Sequence, residues 1–100
     1  MVYLVRTARM LKYSEEFGEA TSKLDEHFKK NYPEIKESKM LWNITGAIDE
    51  SHWVLTFDSL ADEDKWAGAV MQDEVYRDWF TAADGVMGPM VDKLYRDSPM

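Results

Sequence analysis

The chain contains no cysteine. A disulfide framework, a thiolate metal site and a thiol nucleophile are thereby excluded. Basic residues are outnumbered, with 12 Lys and Arg against 19 Asp and Glu, for a net charge of −7. A nucleic-acid partner calls for a basic face that displaces counterions, and an anionic membrane surface asks for the same. The balance argues against both. No apolar run approaches the roughly 18 residues of a membrane span, and the N-terminus lacks the apolar stretch of a signal peptide. A cytoplasmic protein is expected. The two histidines, His27 and His52, form no His-x-x-x-His pair. There is no Gly-rich phosphate loop and no nucleophile elbow. No metal site and no cofactor is therefore expected. Five glycines and three prolines leave no room for a linker or a low-complexity segment.

What remains is a domain-sized chain of 100 residues with four Trp, five Tyr, four Phe and seven Met. Such side chains fill cores, and they also line pockets and subunit contacts. Val2–Met10 alternates as a first strand. Ser14 is placed to cap a helix carrying Phe17, Ala20, Leu24 and Phe28 at helical spacing, which Asn31-Tyr32-Pro33 stops. Ile35–Thr45 reads as a second strand, with Met40, Trp42 and Ile44 on one face and Leu41, Asn43 and Thr45 on the other. A hairpin connection over 46–51 leads into a third strand, His52–Phe57. Ser59 opens a second helical stretch with an apolar stripe at Trp66 and Val70. The stripe falters over Met71–Glu74 and resumes out of phase at Val75, Trp79 and Phe80. Asp73 is placed as a fresh N-cap, so a kink or break is expected there. Asp84-Gly85 ends the helix, and Met90–Arg96 reads as the fourth strand. The order β-α-β-β-α-β predicts an α+β fold, a ferredoxin-like protomer with a four-stranded antiparallel sheet. Residues 1–96 form the one domain, and 97–100 are expected as a frayed tail.

In this order both helices cover one face of the sheet. The strands look apolar on both faces, so the uncovered face predicts a second copy packed against it, a homodimer built through the sheet.

Certain residues carry a likeness to a known group. Val5-Arg6-Thr7 followed by Arg9 resembles a NIPSNAP-type first strand. Phe57-Asp58-Ser59-Leu60-Ala61, then Trp66, then Asp73-Glu74, Tyr76 and Trp79, resembles a strand-three and helix-two signature. The chain thus resembles the dimeric α/β-barrel superfamily, and within it the NIPSNAP-like and antibiotic-biosynthesis-monooxygenase-like domains. The resemblance implies a homodimer with a pocket in each subunit between sheet and helices. It implies a small apolar, aromatic or polyketide-like ligand, and cofactor-independent monooxygenation or a related isomerase or cyclase step. The alternative it implies is a non-catalytic ligand-binding or assembly module of the NIPSNAP-like type. Haem-degrading members use a His on the second helix, and neither His27 nor His52 lies there.

Arg6, Asn43 and Tyr76 are the candidate catalytic residues, with Trp66 and His52 as substrate contacts. A guanidinium inside an apolar strand suits a substrate carboxylate, enolate or phenolate; the other reading, which weighs more, is a buried or interfacial ion pair with one of the acids. Asn43 on a pocket face would hold a substrate or peroxy oxygen, and on the other face it needs a partner of its own. The resemblance gives Tyr76 the part of proton relay and Trp66 that of pocket wall, although Trp66 also fits simple core packing. His52 reads either as a base or as a hairpin-end surface histidine. Asp62, Glu63 and Asp64 read as complements of a helix dipole.

Overall fold

Ser14 and Asp73, two residues with short polar side chains, set the boundaries of the helical layer. In the computed structural model, which describes residues 1–99, the Phe17 amide donates to Ser14 Oγ at 3.1 Å and α1 runs Glu15–Asn31. Glu15 and Glu16 occupy its first turn and Lys29 and Lys30 its last, each sign at the end that favours it. Phe17, Leu24 and Phe28 form its buried stripe. The second helical stretch is two helices. The Asp62 amide donates to Ser59 Oγ where α2, Leu60–Val70, begins, and α3 spans Glu74–Ala83. The expected break is complete, and Asp73 caps α3 by accepting from the amides of Val75 and Tyr76. The buried stripe of α3 is Tyr76, Trp79 and Ala83. The expected set of Val75, Trp79 and Phe80 is corrected: Trp79 stands, while Tyr76 and Ala83 replace Val75 and the exposed Phe80. Gly85 at φ 75° ends the layer, a conformation costly for a side chain.

Four strands form one antiparallel sheet: β1 Val2–Arg9, β2 Ile35–Trp42, β3 Glu50–Phe57 and β4 Val91–Arg96, in the order β2-β3-β1-β4. The protomer is the expected ferredoxin-like α+β fold. Pairing places Leu4 beside Leu55 and Leu94, and Arg6 beside Trp53 and Asp92. Leu4, Trp53, Leu55 and Phe57 pack under the helices with Phe28, Trp66, Val70 and Trp79 as one core.

β2 stops at Trp42, three residues short of the expectation. The Asn43 side chain donates to the Ala47 carbonyl at 2.7 Å, a local bond that competes with the strand ladder. Gly46 turns the chain at φ 78°, and Ile44 stands 95% exposed instead of joining a strand face. The outer face is also less apolar than expected. Its central row is Lys39–Val54–Val5–Lys93, flanked by Glu37–Thr56–Tyr3–Tyr95 and Leu41–His52–Thr7–Val91. Charges on the edge strands bracket an apolar centre, a common means of blunting sheet edges. After β4, Asp97 accepts from the Tyr3 hydroxyl at 2.7 Å and pairs with the N-terminal ammonium, so the expected tail is tied down at its first residue. Met100, the end of that tail, lies outside the described residues. No helix among the described residues is long and apolar enough to cross a membrane.

Asp73 does more than cap. Its Oδ2 accepts from His27 Nε2 at 2.6 Å and from the Tyr32 hydroxyl at 2.5 Å, both on or next to α1. Burial alone would raise its pKa, but the Tyr32 and His27 donations and the Val75 amide outweigh this and hold it below the usual carboxylate range. Asp73→Ala is expected to cost about 1–3 kcal/mol at neutral pH, a lost cap plus two orphaned donors. The folded-state pKa is depressed, so the carboxylate's stabilisation is full above the unfolded pKa of about 4 and disappears as pH falls through the folded value. Urea denaturation of both proteins at neutral and strongly acidic pH should show the gap narrowing in acid.

Candidate functional site

A cleft opens between β1, β4, α2 and α3. Leu4, Arg6, Trp66, Val70, Met71, Tyr76, Asp92 and Glu63 are among its walls, and its volume is about 360 Å³. That lies at the small end of the range for ligand pockets. An inner extension of about 10 Å³ reaches Phe28, Trp53 and Leu55 and shares Leu4, Arg6, Trp66 and Tyr76 with the cleft. Its size suits about one water.

The break at Asp73 is what gives the cleft two aromatic walls. On an unbroken helix, Trp66 and Tyr76 would sit about 80° apart around the axis. The break resets the phase, and the two rings meet edge to face at 6.2 Å. Phe28 lies behind both, at 5.8 Å from Trp66 and 6.1 Å from Tyr76. The Trp66 indole N–H is buried and has no hydrogen-bond partner among the described residues, an uncompensated donor of the kind that usually costs energy.

Arg6 reaches the cleft from β1. Its guanidinium donates to the Tyr76 hydroxyl at 2.7 Å and grips Asp92 with two bonds at 2.8 and 2.9 Å. It also lies over the rings of Tyr76, Trp79 and Phe80 at 5.3–5.7 Å, a cation–π arrangement. Burial weakens this cation, but Asp92 and Tyr76 outweigh that and raise its pKa. Burial raises the Tyr76 pKa, and the opposing pull of Arg6 does not cancel it. Tyr76 therefore keeps its proton at neutral pH. Its oxygen accepts from Arg6, and its own O–H has no protein acceptor among the described residues. The cleft thus holds one charge-neutralised arginine and one phenol free to donate.

Three of the five expected site residues, Arg6, Trp66 and Tyr76, share this cleft. Asn43 and His52 do not line it. His52 alternates with Trp53 along β3 and so lies on the outer face, across from Thr7. Its Nε2 donates to Asn43 Oδ1 at 2.8 Å, its Nδ1 meets the Thr7 hydroxyl at 2.8 Å, and Asn43 donates to Glu50 at 3.2 Å. The five residues therefore form two groups on opposite sides of the sheet. Asn43 and His52 are engaged with each other and with the hairpin. Arg9 pairs with Asp49 at the surface.

Sequence reasoning missed Asp92 and gave Glu63 a different part. Asp92 meets Arg6 only because β4 pairs with β1 in this register, and one sequence does not reveal register. Glu63 does lie in the first turn of α2, as a dipole complement should, but it also lines the cleft. Burial, with Asp64 beside it, raises its pKa. Among the described residues no cluster of three or more His, Cys, Asp or Glu side chains is arranged to hold a metal ion.

No protein-family model and no curated protein matches the chain. Solved structures do. A candidate antibiotic biosynthesis monooxygenase from Nitrosomonas europaea is 18% identical, with a TM-score of 0.72 over 97% of this chain and 98% of that one. SnoaB, a cofactor-independent oxygenase from Streptomyces nogalater, is 10% identical, with a TM-score of 0.73 over 99% and 94%. An uncharacterised NIPSNAP domain protein from Burkholderia xenovorans is 9% identical, with a TM-score of 0.69 over 99% and 96%. At such identities the likeness is one of fold. The resemblance read from the sequence holds at that level: this chain has the protomer fold of NIPSNAP-domain and antibiotic-biosynthesis-monooxygenase-type proteins.

Proposed function

We propose that the chain binds a small aromatic, oxygen-bearing molecule in the cleft of Arg6, Trp66 and Tyr76, and that it oxygenates it without a cofactor. One observation carries this reading. A protonated Tyr76 lies in an apolar, aromatic-walled cleft, its oxygen held by Arg6 and its own hydrogen unused. The fold shared with a cofactor-independent oxygenase fits it.

A phenolic substrate ionises to solvent and becomes electron-rich at a ring carbon. That carbon passes an electron pair to dioxygen, and a C–O bond forms. Tyr76 donates its proton to the outer peroxide oxygen, and Arg6 beside it steadies the resulting phenolate. The O–O bond then breaks as the ring C–H proton leaves. A quinone carbonyl and one water result, and Tyr76 regains a proton from solvent. One dioxygen is consumed for each ring C–H converted to C=O. An oxygen electrode with a panel of naphthols tests this. Uptake with quinone formation is expected, and binding without uptake supports the second reading, a non-catalytic ligand-binding module. That reading is favoured by the engagement of Asn43 with the hairpin, away from the cleft.

The same proposal includes a second copy on the outer sheet face, where Leu41, Val91 and Tyr95 are 45–52% exposed around Val5 and Val54. Sedimentation at micromolar concentration should give twice the chain mass. A monomer there would remove the dimer and leave the cleft reading standing.

A further inference from the structure

The cleft carries one cation and two carboxylates. Asp92 neutralises the Arg6 charge with a two-bond grip, and three of its five N–H donors go to Asp92 and Tyr76, so it offers an incoming anion less than a free guanidinium would. The Glu63 carboxylate on the facing wall has no ion-pair or hydrogen-bond partner among the described residues. It therefore presents one uncompensated negative charge beside apolar Val70, Met71 and Leu94. The chain as a whole adds to this with a net charge of −7. The aromatic walls favour the same ligand charge, because ring faces attract cations and repel anions. Trp66 lines both the cleft and its inner extension.

We infer that the ligand of this cleft is an aromatic molecule bearing a basic, protonated nitrogen, with Glu63 as the group that recognises it. The inference rests on the proposed cleft and adds the charge class of its ligand. It reverses the expectation that Arg6 anchors a substrate carboxylate: an acidic ligand would meet an arginine already neutralised by Asp92 and would face Glu63 as well. The aromatic body lies in the cleft against Trp66 and Tyr76, and the ammonium lies at the Glu63 side.

Three probes with one apolar body separate these effects: 1-naphthylmethylammonium, 1-naphthylmethanol and 1-naphthoate. Calorimetric titration at pH 7.5 and low salt should rank them cation, alcohol, anion. The cation should bind roughly fivefold tighter than the alcohol, as expected for one partly screened ion pair. Glu63→Gln should bring the cation-to-alcohol ratio close to one. In the unaltered protein the ratio should also shrink as salt shortens the screening length, a check independent of any variant's folding. Naphthoate binding as tightly as the cation, or a ratio that survives both Glu63→Gln and high salt, overturns the inference while alcohol binding keeps the aromatic cleft. Failure of all three probes to bind overturns the cleft reading and the charge inference with it.

Discussion

Phe28→Ala is expected to cost about 3–5 kcal/mol of folding stability, the range for removing a fully buried aromatic ring. Phe28 is 1% exposed and stands where α1 meets β3, α2 and α3. Its ring lies 5.6–6.1 Å from those of Tyr32, Trp53, Trp66 and Tyr76. Those neighbours belong to separate, well-packed elements, so the void left by the ring has no easy way to collapse. A domain of this size has about 5–15 kcal/mol in total, so the variant should lose a large part of it. Urea denaturation followed by tryptophan fluorescence reads the loss directly. A cost under about 1.5 kcal/mol would mean that the aromatic cluster repacks freely, against the close packing expected of protein interiors.

Tyr76→Phe should reduce oxygen uptake about a hundredfold, the lower end of what a positioned proton donor contributes. The substitution keeps the ring and its contacts with Trp66 and Phe80, and it removes the oxygen that Arg6 holds. Asn43→Ala should change uptake by about twofold or less, as for a substitution remote from the chemistry. Asn43 acts instead on the hairpin, through Ala47, Glu50 and His52. Steady-state uptake by the two variants makes the comparison. Equal losses would place both residues in one catalytic unit, which two opposite faces of a sheet do not allow within a protomer.

The fold was legible because apolar periodicity carries it. The change of phase between Val70 and Val75 and the short polar side chain of Asp73 marked the break between α2 and α3, and the structure has it there. Local chemistry hid the end of β2, because the Asn43 side chain takes over a backbone acceptor that periodicity ignores. The separation of His52 from the cleft was within reach: Trp53, Leu55 and Phe57 are the heavier face of β3, and His52 alternates with them. Asp92 was out of reach, since its meeting with Arg6 depends on strand order and register. The open charge of Glu63 was equally hidden, because a helix-start glutamate looks the same in sequence whether it faces bulk water or a cleft.

The most direct test of the account is a crystal structure of the protein soaked with 1-naphthol in the absence of oxygen. The account predicts the naphthol ring in the cleft against Trp66, with its oxygen within hydrogen-bonding distance of the Tyr76 hydroxyl. Naphthol bound elsewhere, or a cleft left empty at saturating concentration, would contradict it.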